Sequence, residues 1–433
     1  MRFITDLHIH SRYSRACSPA LTLPNIDAWA AAKGIDIIAT GDFTHPAWLK
    51  EIERCLEPAE DGLFHLRSSV AGEAAKEGAD AAPSSRGSRP VRFVLSTELS
   101  CIYKKNDKTR RLHLVLLMPS LAAVKRLVAV LEQRQINLKS DGRPILGMDA
   151  KELLKISLDA DAAAEMIPAH AWTPWFAVFG SQSGFDSLTE CFEEMTPHIH
   201  AIETGLSSDP PMNWRISALD QVVLVSNSDA HGLRNLGREA NVFDFSVPSY
   251  AALTGALLPA GRKNFLYTIE FYPEEGKYHA DGHADCRFSC EPAETKRLGG
   301  RCPKCGKLLT RGVLGRVDAL ADRPVGAGGE QRIPFRSIVP LEETVAAALG
   351  KGRASKAVGQ VYRRLLEAVA PEFDVLLDAS LEEISAVDQA VAEAVRRVRV
   401  GEVSVQAGYD GLFGEVKIFS EPPRRPKQGN LAL

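Results

Sequence analysis

Over residues 1–247 the chain alternates short apolar, β-branched runs with longer stretches whose apolar positions recur at helical spacing. Such alternation is how a parallel sheet with crossover helices reads. Seven runs have strand character, at residues 3–7, 35–40, 91–96, 112–118, 166–169, 200–203 and 222–226. Between the first two, the stretch 24–33 carries Ile26, Trp29 and Ala30 on one side and stops at Gly34, the pattern of a capped amphipathic helix. Repeated βα units without a Gly-rich phosphate fingerprint predict an α/β fold, a distorted TIM-like seven-stranded barrel, and not a dinucleotide-binding sheet. Residues 67–89, rich in Ala, Ser and Gly with no period, predict a mobile insertion.

After Pro248 the texture changes. Residues 248–329 predict a linker followed by a small cysteine-bearing module, closed by a Gly-rich joint. Residues 330–419 predict a mainly helical domain, with Val361, Leu365, Leu366 and Val369 at helical spacing and breaks at Gly350 and Pro371. Residues 420–433, dense in Pro, Arg and Lys, predict a disordered basic tail. No run approaches the roughly 18 apolar residues of a membrane span, and the start lacks a signal-peptide pattern, so a cytoplasmic protein with no membrane partner is expected.

Polar chemistry concentrates where the apolar runs stop. His8 and His10 close the first run, Asp42 and His45 follow the second, Glu98 follows the third, His113 lies in the fourth, His170 follows the fifth, and Asp229 and His231 follow the seventh. In a barrel of parallel strands every C-terminal end opens on one mouth, so distant residues converge there. Nitrogen and oxygen donors in such numbers suit Zn²⁺, Mn²⁺ or Mg²⁺, and a carboxylate such as Glu98 can bridge two ions. A lone histidine is more often a core or surface residue, which is the reading adopted for His65, His198 and His279.

A second cluster lies further on. Cys286, Cys290, Cys302 and Cys305 read as C-x3-C-x11-C-x2-C, with the second pair in CPKCGK, a tight knuckle. Paired spacing of this kind predicts one structural Zn²⁺ held by four thiolates, with no open position for catalysis. Between Arg287 and Arg364 sixteen Lys/Arg face seven Asp/Glu, in a chain whose net charge is −3. A local basic excess in an acidic protein suits a phosphate backbone, so nucleic acid enters through local and not global charge.

The run DLHIHSRYS resembles the first motif of PHP (polymerase and histidinol phosphatase) proteins, and TGDFTHP, STELS, LHLVLLMP, PAHAWTP and SNSDAH are similar to its later motifs in order. The resemblance implies a first metal on His8, His10, Glu98 and Asp229, and a second on Glu98, His113 and His170. A third position would involve His231 with Asp42 or His45. There the motif departs, because Phe43 follows Asp42 where a histidine is usual. The implied chemistry is phosphoester hydrolysis by a metal-activated water, with Asp229, Glu98 and His231 as the catalytic residues.

Nearly the whole chain also resembles the endonuclease Q family: EGKYHADGH before the cysteines, CPKCGK within them, GVLGRVDALADRP after them and GYDGLFGEVKIF near the end. That resemblance implies a DNA repair endonuclease that cuts 5′ to deaminated bases such as uracil, hypoxanthine or xanthine, or to abasic sites, leaving 3′-hydroxyl and 5′-phosphate ends. A base inspected beside a metal site has to leave the stack. The loop after His170 offers Trp172, Trp175, Phe176, Phe179 and Ser181 as substrate contacts. The ending QGNLAL resembles sliding-clamp-binding peptides, which makes a clamp a second expected partner besides damaged DNA. Two alternatives stay open: another PHP phosphoesterase, either a small-molecule phosphatase or a DNA exonuclease, and a non-catalytic DNA-binding scaffold.

Overall fold

The computed structural model describes residues 1–73, 89–328 and 332–420. Its centre is a large mixed sheet. Strand β1 (Arg2–Asp6) runs parallel to β2 (Ile37–Ala39), with Thr5 opposite Ile37, and β2 runs parallel to β3 (Arg92–Lys105). All three are buried on both faces near their pairing, as strands of a covered parallel sheet are.

The next step departs from the expected all-parallel order. Strand β4 (Lys108–Met118) turns straight back along β3, in register from Leu95 opposite Met118 to Lys105 opposite Lys108. Asn106 and Asp107 make the turn, both with positive φ, as a two-residue hairpin of matching twist requires. A parallel partner would need a crossover of a dozen or more residues, and only two are available. Strand β4 then pairs antiparallel with β5 (Glu165–Pro168). Strands β6 (Ala201–Glu203) and β7 (Val223–Val225) pair in parallel as a separate small sheet. On the far side of β1 lie β8 (Ala240–Asp244), antiparallel to it, then β9 (Phe265–Glu270), antiparallel to β8, and β10 (Phe335–Ser337), parallel to β9. Residues 265–270 and 335–337, expected in the linker and the helical domain, are thus strands of the central sheet.

Helix α1 (Leu23–Lys33) ends at Gly34, whose φ of 81° only glycine adopts without strain and whose N–H reaches the carbonyls of Ala30 and Ala31. The helix is not simply amphipathic. Lys33 is buried and its Nζ lies 2.9 Å from Glu372, so the polar side of α1 is covered too. The cover is the C-terminal helical unit: α2 (Leu341–Leu349), α3 (Lys356–Ala368), α4 (Glu372–Leu377), α5 (Leu381–Val387) and α6 (Gln389–Arg399). Tyr362 donates to Glu372 at 2.7 Å, completing a buried Lys–Glu–Tyr set, and one hydrophobic core runs through the sheet and these helices. After α6 the chain leaves the helices. A hairpin, Ser404–Gln406 paired with Glu415–Lys417, docks on residues 274–284 through backbone bonds from Gly408 to Glu274 and Gly414 to Glu275. No helix among the described residues is long and apolar enough to cross a membrane. Most of the 67–89 insertion, and the tail with QGNLAL, lie outside the described residues.

Candidate metal centre

Five strands bring the donors together. The chain leaving β1 carries His8 and His10, held by a bridge between Ile9 and Ala230. Glu98 lies within β3, and His113 sits on β4 opposite Ser100, two rungs from Glu98. His113 therefore arrives by a hairpin, not by the end of a parallel strand. His170 and Asp229 follow β5 and β7 with φ of 29° and 46°. Positive φ in non-glycine residues costs energy and is tolerated where the surroundings hold a side chain in a required direction.

The result is two groups sharing one carboxylate. His8, His10, Glu98 and Asp229 place donor atoms within 4.8 Å of one another, as do Glu98, His113 and His170. Glu98 divides its oxygens between them. Its Oε2 is 3.3 Å from His10 Nε2 and 3.6 Å from His8 Nε2, while Oε1 is 2.9 Å from His113 Nδ1 and 3.2 Å from His170 Nε2. Asp229 Oδ1 is 3.1 Å from His10 Nε2. His8 Nε2 is buried, has no hydrogen-bond partner and faces these oxygens, which is what a cation binding there would leave behind when absent. Nitrogen and carboxylate donors of this kind fit divalent cations, which His8, His10 and Asp229 on one side and His113 and His170 on the other would hold together with Glu98.

Two buried carboxylates behind the histidines set their orientation. Glu203, at the end of β6, lies 3.0 and 3.1 Å from His8 Nδ1 and accepts from the His170 N–H at 2.9 Å and from Asn227 at 2.8 Å. Asp42 lies 3.2 Å from His10 Nδ1 and accepts from the backbone and hydroxyl of Ser11 and from Ser14. His8 and His10 thus turn Nε2 inward and Nδ1 to a carboxylate, which orients each ring and raises its donor strength. Burial opposes charge on His8 and His10, yet the facing carboxylates prevail, Glu203 and Glu98 for one and Asp42 and Asp229 for the other. Both imidazoles are held well above their ordinary value. Burial likewise opposes charge on Glu98 and Asp229, but the histidines, with Arg143 beside Glu98, keep both carboxyls well below theirs. His113 goes the other way, pushed by burial down to about 4 against the pull of Glu98, so it stays neutral and available as a ligand.

Around His231 no third group of donors gathers within 4.8 Å among the described residues. Asp42 is spent behind His10, and the His45 ring stacks on Tyr13 at 4.4 Å at the start of its own helix. His231 Nδ1 lies 2.9 Å from the Asp229 carbonyl, with its ring 4.5 Å from that of His10 on the open side. Two residues that motif reasoning missed complete the site. Glu203 looked like any carboxylate after a strand. Arg143, 2.9 Å from Glu98 Oε2, lies in a loop with no periodic signal.

The substrate loop divides. Trp172 is buried, donates to Asn213 at 2.7 Å and packs its ring 4.7 Å from that of buried Phe179, so both belong to the core. Phe176 covers His113 with ring centroids 4.7 Å apart, Ser181 is half-buried, and Trp175 is 41% exposed at the rim. Arg316 pins this loop by donating to the carbonyls of Phe179 and Phe185.

In the cysteine module, Cys286, Cys302 and Cys305 gather with His283 in place of Cys290. In the hairpin of Asp281–His283 with Phe288–Cys290, Cys290 stands opposite Asp281, at the other end from His283, and its thiol reaches Thr295 at 3.3 Å. The spacing His283-x2-Cys286 was the unread signal. In the knuckle, burial raises the Cys302 thiol, but the N–H groups of Lys304 and Cys305 outweigh it and bring the thiol below its ordinary value, which favours the thiolate. Three sulfurs and one imidazole fit a closed structural Zn²⁺ site.

A family model described as the MJ0043 C-terminal domain matches residues 340–402. The chain is 31% identical to the lesion-specific endonuclease PfuEndoQ of Pyrococcus furiosus, whose crystal structure superposes with a TM-score of 0.83 over 97% of this chain and 96% of that one. It is 30% identical to an endonuclease Q solved with a 27-mer duplex bearing an abasic lesion at the active site, with a TM-score of 0.80 and 97% of each chain covered. Protein YqxK of Bacillus subtilis is 28% identical over 96% of this chain and 99% of its own length. Protein MJ0043 of Methanocaldococcus jannaschii is 28% identical over 57% of this chain, and the match spans 31% of its length.

Proposed function

The chain belongs to the endonuclease Q family, and from that premise we propose that it is a metal-dependent DNA endonuclease that cuts the phosphodiester 5′ to a damaged nucleotide. The substrates of this reading are duplex DNA carrying an abasic site or a deaminated base, uracil, hypoxanthine or xanthine, and the products carry 3′-hydroxyl and 5′-phosphate ends. The observation that carries it is the division of Glu98 between two donor groups, one oxygen to each. Bound there, Zn²⁺, Mn²⁺ or Mg²⁺ would supply Lewis acidity toward a phosphate and an activated water. The protein's own part is positional. His8, His10 and Asp229 hold one side and His113 and His170 the other, Glu203 and Asp42 keep two of the imidazoles turned, and Arg143 adds a fixed positive charge where a phosphate oxygen would arrive. We read the strands around this centre as a distorted PHP barrel, and the cysteine module as a zinc-held scaffold presenting basic surface to the duplex.

The test is a covalently closed plasmid bearing one abasic site, one deoxyuridine or one deoxyinosine, incubated with each metal, with any nick mapped to the nucleotide. A single cut 5′ to the lesion is expected. Degradation only from free ends, or no cut by the wild-type protein alongside activity on a small phosphomonoester, would transfer the site to another phosphoesterase chemistry. Asp229→Asn should abolish the nick; an unchanged rate would favour the scaffold reading. The QGNLAL ending is proposed as a clamp-docking peptide, and deleting residues 428–433 should abolish co-elution with the clamp while sparing nicking of short duplexes.

A further inference from the structure

The hairpin tip near the end of the chain carries two exposed apolar side chains. Phe413 is 73% exposed and Leu412 43%, and besides Trp175, Phe413 is the one aromatic residue among the exposed large hydrophobics of the described residues. One exposed phenylalanine by itself signifies little. The way this one is mounted gives it meaning.

Asp410 and Gly411 make a two-residue turn, both with positive φ, closed by reciprocal backbone bonds between Tyr409 and Leu412. The Asp410 carboxylate accepts from the Ala284 N–H and the Thr310 hydroxyl, both at 2.6 Å, tying the turn to two segments of the cysteine module. Gly411 donates to the Lys277 carbonyl, and Tyr409 lies over Gly282 so closely that a Cβ there would fall 2.4 Å from its ring. The turn is therefore clamped on every side except the one bearing Phe413.

Its surroundings are basic and lead to the metal centre. Lys277 Nζ lies 4.5 Å from the Phe413 ring. Lys277, Arg287, Arg301, Lys304, Lys307 and Arg311 are exposed, and no ion pair holds any of them among the described residues. Tyr278, next in the chain to Lys277, meets Trp175 edge-on at 5.6 Å, on the loop that follows His170. A rigid apolar tip, with Lys277 beside it, further exposed cations on the same module and a link to the active-site loop, has the chemistry of a side chain that enters a base stack while its neighbours hold the phosphates.

We propose that Phe413, with Leu412 beside it, is a wedge that inserts into duplex DNA at the lesion and occupies the gap left when the damaged nucleotide leaves the stack. The inference rests on the endonuclease reading above and adds to it the residue that opens the duplex. Extruding a paired base costs free energy that an inserted ring offsets, whereas an unpaired base has already left.

The experiment compares Phe413→Ala and Phe413→Trp with wild type on two substrates. One is a duplex with a single paired deoxyuridine. The other places the same deoxyuridine in an unpaired bubble. Phe413→Ala should slow nicking of the paired duplex about 10- to 100-fold, the loss expected for one stacking contact, and nicking of the bubble less than about threefold, with Phe413→Trp restoring the paired rate. In the Asp229→Asn background, 2-aminopurine beside the lesion should brighten when protein binds, and adding Phe413→Ala should remove that rise without abolishing binding. Equal rates on both substrates for Phe413→Ala and wild type, equal losses on both, or an undiminished 2-aminopurine signal would each overturn the wedge. A wild-type protein that nicks neither substrate would instead overturn the endonuclease reading.

Discussion

Replacing Glu203 by glutamine tests how the centre is held. Every group that meets this carboxylate is a donor: His8 Nδ1 lies near both oxygens, Asn227 Nδ2 is 2.8 Å from Oε1, and the His170 backbone N–H is 2.9 Å from Oε2. An amide of the same shape must turn its NH₂ toward one side or the other, so donor meets donor against Asn227 or against His170. His8 also loses the negative partner that helps hold its imidazole protonated well above the usual value without a cation, and that polarises its Nε2 when one is bound. Charge-assisted hydrogen bonds contribute about 1.5–3 kcal/mol each, and removing such a partner behind a metal ligand typically costs about 10- to 100-fold in metal affinity. Titrating the metal-free protein with Mn²⁺ in a calorimeter should therefore show Glu203→Gln weakened by that factor at the site containing His8. Lesion nicking should fall at low metal and recover in part at high metal. If Glu203→Gln binds Mn²⁺ within twofold of wild type and nicks at the same rate at every metal concentration, the claim that this carboxylate orients His8 and His170 is wrong.

Arg143→Ala should lower the nicking rate about 100-fold, the effect of losing one preorganised charge beside the reacting phosphate, with the number of bound metals unchanged by elemental analysis; loss of metal in step with rate would make Arg143 a structural residue instead. The Glu270 carboxyl is buried and pushed up to about 7, despite hydroxyls of Thr268, Thr204 and Ser226 that favour its charge. A folded value above the unfolded one means stability is full at acid pH and drains as pH rises from about 4 to about 7. Glu270→Gln should thus match wild type near pH 4 and melt higher near pH 8, by at most about 3 kcal/mol, and parallel Tm curves for the two proteins would contradict this. In the cysteine module, His283→Ala should release zinc while Cys290→Ala retains it, measured by metal content after gel filtration; the reverse result would restore the four-thiolate site.

Much of the centre was legible because donor type and the ends of apolar runs are local properties. His8, His10, Glu98, His113, His170 and Asp229 could each be picked out by standing at or near the end of such a run. Glu203 could not, because a carboxylate after a strand is as often a helix cap as a metal-site partner, and its role depends on His8, 195 positions away. Trp172 and Phe179 were read as substrate contacts from chemical type alone, yet burial, one indole hydrogen bond to Asn213 and one ring-to-ring contact place them in the core. The expected third position had the right residue types, but Asp42 was already satisfied by Ser11, Ser14 and His10.

The helical C-terminal region, the donor inventory and the paired spacing of the cysteine knuckle were determined by the amino-acid sequence itself, since hydrophobic periodicity and residue spacing act over a few positions. Only the tertiary structure decided that β4 folds back on β3 and delivers His113 beside Glu98, that Glu98 splits between two groups, and that His283 displaces Cys290. It also carried residues 404–417 away from their helices to the module beside the active-site loop. Each of these turns on which side chains face one another across the fold, and that is set by the packing of segments up to hundreds of residues apart, a quantity no local pattern contains.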